Sequence, residues 1–136
     1  MKNEIAEILR ERSLKPAIPP EQPTMDDIVD VQEAMLISVP GELRDFLLNS
    51  SYEIYGHLEP VTIADSNCHT YLPEVAAEAW ARGMPREFIP LCQDRSNIYC
   101  VSESGAVYIW NETLGEEPEE VAGDVWEWVR DIWLEC

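Results

Sequence analysis

MPREFIPLCQDRSNIYCVSESGAVYIW, residues 84–110, is the stretch that decides the fold. Three short apolar runs, Phe88 to Leu91, Ile98 to Val101 and Ala106 to Trp110, are separated by Asp94-Arg95-Ser96-Asn97 and by Ser102 to Gly105. Runs rich in β-branched and aromatic residues, bounded by Asp, Ser, Asn and Gly, predict consecutive strands joined by tight turns. The expected element is an antiparallel meander over about residues 87–111. It carries no obvious catalytic group.

Working outward, helical spacing dominates both flanks. Ile5, Ile8, Leu9 and Leu14 predict a short amphipathic helix over residues 4–14. Lys15 to Pro23 holds four prolines, whose missing N–H groups and restricted φ predict an extended linker. Thr24, with Asp27 three residues on, reads as a shortened capping box opening a helix that turns Ile28, Val31 and Met35 inward. Pro40 suits the first turn of a next helix, with Leu43, Phe46 and Leu47 as its stripe. Leu58 to Ile63 can be a strand, restricted by Pro60 to an edge or an irregular entry. Tyr71 to Arg82 is helical, with Leu72, Val75, Ala76, Ala79 and Trp80 inward and Gly83 as the stop. After the meander, Glu112 to Glu120 is expected to be an acidic loop. Val121 to Leu134 is expected to be a final helix with Ala122, Val125, Val129 and Ile132 facing inward, flanked by Trp126 and Trp133. Strands in sequence with helices before and after predict an α+β fold. The division is an N-terminal helix and Pro-rich linker (residues 1–23) followed by a single α+β domain (residues 24–136).

The charge excludes several function classes. Of 136 residues, 27 are acidic and 9 basic, a formal net charge of −18. Residues 1–20 are net +1, so residues 21–136 carry −19. Such a surface repels nucleic acid and anionic membrane, and it favours solubility and rapid capture of a basic partner. The first residues lack the apolar core of a signal peptide, and no run reaches the length of a membrane span. The expectation is a soluble, cytoplasmic protein whose four cysteines (Cys68, Cys92, Cys100, Cys136) are reduced thiols.

Candidate chemistry is sparse. Cys68-His69, the pair Cys92/Cys100, and His57 are the residues that could bind a soft metal, but no C-x₂-C spacing frames a zinc site. With a turn around Ser96, Cys92 and Cys100 face each other across two strands, where they serve equally well as small apolar fillers. Ser102 and Ser104 lack a nucleophile elbow, and the six glycines form no phosphate-binding pattern. Neither a catalytic group, a metal nor a cofactor is expected. Five tryptophans remain, and of these Trp110 and Trp128 stand where either core burial or an interface anchor is open. The acidic residues Glu112, Glu116, Glu117, Glu119 and Glu120 form a negative patch beside Trp110, suited to Lys or Arg on a partner.

Several short motifs resemble the SUKH superfamily, in its branch similar to the cell-wall-assembly regulators of SMI/KNR type. They are Glu33, Val39-Pro40, Met84-Pro85, Phe88-Ile89-Pro90, Asp94, Asn97, Tyr99-Cys100, Gly105, Val107, Trp110 and Val121-Ala122. The likeness spans about residues 24–134. Two positions depart from it: the turn Asp94–Asn97 lacks the usual glycines, and Trp110-Asn111-Glu112 replaces Trp-Asp-His. The resemblance implies a non-catalytic, protein-binding α+β domain. It further implies a bacterial immunity protein that neutralises a cognate toxin, a basic and nuclease-like one given the acidic field. Asp94, Asn97, Trp110, Glu112, Glu116, Glu117 and Glu119 are the expected partner-binding residues. A regulatory or scaffold domain of the same fold, and a small hydrolase or metalloprotein, are the alternatives.

Overall fold

A computed structural model describes residues 2–19 and 21–136; Met1 and Pro20, the latter within the expected linker, lie outside the described residues. Helix α1 (Lys2–Arg12) buries Ile5 and Leu9, one turn apart, while Ile8 and Leu14 stay exposed. It does not stand apart. Ile5 and Leu9 belong to the main core, Lys2 pairs with Asp45 at 2.9 Å, and Ser13 Oγ accepts from the Ile54 N–H at 2.9 Å. In helix α2 (Met25–Met35) the capping box forms as read: Thr24 Oγ1 accepts from Asp27 N–H, and Asp27 Oδ2 accepts from Thr24 N–H at 2.8 Å. Helix α3 (Gly41–Asn49) starts one residue later than expected, with Pro40 as its N-cap, and buries Leu43, Phe46 and Leu47.

Strand β1 (Glu59–Pro60) lies at the edge of the sheet, as Pro60 suggests, but it spans only those two residues and not the expected Leu58 to Ile63. Helix α4 (Leu72–Ala81) follows, and Gly83, at φ 115°, ends that region in a backbone conformation that L-residues avoid. The meander is then β2 (Ile89–Asp94), β3 (Asn97–Val101) and β4 (Val107–Asn111), all antiparallel.

Three further expectations differ from the structure. The acidic loop does not extend to Glu120, because Glu119–Ala122 is a further strand, β5, paired with β4 through Val107↔Ala122 and Ile109↔Glu119. The free edge of β4 supplies hydrogen-bond partners that outweigh the poor strand propensity of Glu-Glu. Gly123 then breaks the strand, and Asp124, not Val121, opens the last helix by accepting from Glu127 N–H at 2.9 Å. The sheet order is β1-β2-β3-β4-β5.

The last helix, α5 (Val125–Trp128), passes directly into a π-helical turn (Val129–Trp133), in which Leu134 N–H bonds back to Val129 C=O at 2.8 Å. Five residues apart on an α-helix would point about 140° apart. The wider turn instead brings Trp128 and Trp133 together, with ring centroids 6.0 Å apart, and both are fully buried. Phe46 meets Trp126, Trp128 and Trp133 edge-to-face at 5.8, 6.5 and 6.0 Å.

The third difference concerns the cysteines. A bulge at Leu91 shifts the β2–β3 register, so Cys92 pairs with Tyr99 while Cys100 pairs with Pro90. Leu91 and Cys92 both enter the main core, whereas Cys100 points to a smaller cluster with Ala79, Met84, Ile98 and Trp110. The two thiols therefore occupy different apolar clusters and do not face each other. Burial pushes each to a pKa of about 12.

Candidate docking site

The antiparallel register brings most of the expected partner-binding residues to one end of the sheet. Asp94 ends β2, Asn97 begins β3, Asn111 ends β4 and Glu119 begins β5. Asp94 and Asn97 close a two-residue turn in which Arg95 takes φ 59°, the place usually held by glycine. Asn111 supplies the crosslink: its Nδ2 donates to Asn97 Oδ1 at 2.8 Å, and its Oδ1 accepts from Thr113 and Leu114 N–H at 2.9 Å. This side chain, absent from the expected set, folds the chain into the acidic loop through an Asx turn.

Around that scaffold the carboxylates differ in role. Glu112 donates its N–H to Ser96 C=O at 3.1 Å, and its Oε2 lies 3.2 Å from Arg82 Nη1, so it is largely neutralised within the molecule. Asp94 Oδ1 is 3.9 Å from His57 Nε2. Glu116 and Glu117 are exposed in the loop, and Glu119 and Glu120 are exposed on the edge strand β5. No Lys or Arg occurs between Ser96 and Val129, a stretch with eight acidic residues. That edge is a field source suited to a cationic protein face, and its charges also deter uncontrolled strand addition.

Trp110 does not belong to that surface. At 3% exposure it lies in the smaller core cluster, close to Gly83 and Ala79. Trp128 is likewise fully buried. Both tryptophans thus resolve toward packing, and neither presents an anchor to a partner.

A separate cleft of about 450 Å³ lies between residues 51–60 and 62–70 and contains Cys68 and His69. Cys68 Sγ is 3.1 Å from Thr70 Oγ1, which in turn is 2.8 Å from Thr62 Oγ1. Those hydroxyl and backbone contacts hold the thiol below its ordinary pKa. His69 directs Nε2 to Glu59 Oε2 at 3.0 Å, and this carboxylate raises the imidazole pKa. Both partners of that pair are exposed, and Glu59 orients the ring at the cleft mouth. Among the described residues no group of three or more His, Cys, Asp or Glu is placed to hold a metal ion. Among them too, no helix is long and apolar enough to cross a membrane.

Comparison with known proteins matches residues 1–134 to a family model described as SUKH_5, SMI1-KNR4 cell-wall. The chain is also similar to a crystal structure of a protein from Pseudomonas syringae pv. tomato. The two are 46% identical, with a TM-score of 0.89, over 98% of this chain and 99% of that one. The comparison with curated proteins returned no match.

Proposed function

The chain belongs to the SUKH_5 family of SMI1-KNR4 cell-wall type, and on that premise we propose that it acts by binding, as an immunity-type protein that covers the basic surface of a toxin domain. The superfamily includes immunity proteins, which supports the reading at the level of class. The observation that carries it further is the set of exposed carboxylates Glu116, Glu117 and Glu119, in a stretch of sequence with no Lys or Arg between Ser96 and Val129. A nuclease has to present cations to hold its substrate, so such a surface is complementary to it. Neutralisation then requires occupation of that face and no bond-making by this chain.

The partner is to be isolated from the producing cell by affinity capture and its association followed by stopped flow. Glu116/Glu117/Glu119→Lys is expected to lower the association rate about tenfold at low salt and to leave thermal stability nearly unchanged, because exposed charges contribute little to folding. An unchanged rate in the triple variant moves the interface elsewhere. Deleting the gene should arrest growth only while the toxin gene is present. Arrest that persists without the toxin gene favours a regulatory role.

A further inference from the structure

Helix α2 carries two apolar lines, and only one of them is used by the fold. Ile28, Val31 and Met35 are buried in the main core. Met25 and Val29 fall on a second line, about 40° apart at 100° per residue, and Leu36 follows at the C-cap. Their exposures are 53%, 45% and 85%. Isolated surface aliphatics need no explanation. Val29 and Leu36, however, line one shallow groove with Gln32, Glu33, Ile37 and Ser38, and Met25 lies one turn before Val29.

Leu36 is the informative member. It stands at the C-cap of α2 with φ 58° and ψ 36°, a left-handed conformation in which glycine or asparagine is the usual residue. Neither the backbone nor packing within the chain favours leucine there. The groove itself is firmly built. Leu36 and Ile37 N–H bond to Gln32 C=O, Gln32 Oε1 accepts from Val39 N–H at 2.9 Å, and Arg86 Nη2 donates to Met35 C=O at 2.6 Å. The Arg86 guanidinium also lies 3.7 Å over the Trp80 ring.

We propose that the Met25–Val29–Leu36 line is a docking surface for an aliphatic patch bordered by Lys and Arg on a partner protein. The charge selects this occupant. Asp26, Asp30 and Glu33 lie along the outer border of the line, and α2 contains no basic residue. A second copy of this chain would set these carboxylates against their own kind, on molecules of charge −18. The inference rests on the basic-partner reading above and adds to it a second, apolar contact on a different helix.

The test uses the ¹⁵N-labelled full chain and two synthetic helical peptides at 0.15 M NaCl. One peptide has a leucine face flanked by lysines; the other has the same lysines with serine in place of leucine. The leucine peptide is expected to bind at least tenfold more tightly and to shift the amides of Met25, Val29 and Leu36. Val29→Ser and Leu36→Gly should each abolish that preference with the folded spectrum retained. Equal affinity for the two peptides, shifts confined to residues 112–120, or no binding by either, overturns the proposal and leaves the acidic-edge reading standing. Dimerisation that Leu36→Gly abolishes assigns the face to a second copy and equally overturns it. Conversely, a preference for the leucine peptide in a chain whose deletion causes no toxin-dependent arrest keeps the surface and removes the immunity role.

Discussion

At the scale of single residues, the environment separates four chemically identical thiols. Cys92 and Cys100 are buried and raised to about 12, Cys136 is exposed but raised by partial desolvation, and Cys68 alone is lowered by its contacts with Thr70. Native protein treated with iodoacetamide at pH 7 should therefore alkylate Cys68 first, with Cys92 and Cys100 labelled only after unfolding, as peptide mapping would show. Equal labelling of Cys68 and Cys100 would contradict the burial of Cys100. His69 offers a second readout. Because Glu59 raises its folded pKa, the pair contributes to stability fully below the unfolded value near 6.5, and the contribution fades as pH rises through the folded pKa. With both groups exposed, the effect on stability is small. In an NMR titration, Glu59→Gln should return the imidazole pKa toward its ordinary value.

At the scale of elements, the last helix is built for its aromatic load. The π turn lets Trp128 and Trp133 share the pocket under Phe46, with Trp133 Nε1 donating to Tyr55 C=O at 2.9 Å. Among the described residues the buried Nε1 groups of Trp126 and Trp128 find no hydrogen-bond partner, so these two rings are held by packing. Phe46→Ala removes the ring common to three edge-to-face contacts and should destabilise by about 3–5 kcal/mol, read from denaturant midpoints. A loss below about 1 kcal/mol would mean that the neighbouring indoles collapse into the space.

At the scale of the whole molecule, one net charge sets two behaviours. A charge of −18 opposes compaction through self-repulsion, and salt relieves it. Raising NaCl from 10 mM to 0.3 M at pH 7 should lift Tm by about 3–5 °C, roughly 1 kcal/mol for a domain of this size. The same salt should slow capture of a basic partner. Stability and association therefore respond to salt in opposite directions, which distinguishes a shared electrostatic origin from an unrelated change in folding. The N-terminal region contributes to this balance: Lys2 pairs with Asp45, and α1 brings Ile5 and Leu9 into the main core.

Local chemistry alone accounts for much of the architecture. Thr24 and Asp27 cap α2 through neighbours three residues apart, and the three apolar runs between Phe88 and Trp110 form antiparallel strands separated by turns, because these preferences act within a few residues. The acidic composition of the edge around β5 is equally a property of the chain. Other features arise only when distant segments meet. Glu119–Ala122 is a strand because β4 offers it an edge, and Cys92 and Cys100 part because a bulge at Leu91 shifts the register. Trp110 is buried because α4 and Met84 cover it, and Leu36 is exposed in a left-handed turn because the chain must leave α2 toward Val39. Sequence determines the menu of elements and the sign of the surface; tertiary contacts decide which side chains reach it, since burial depends on what packs opposite and not on the residue alone.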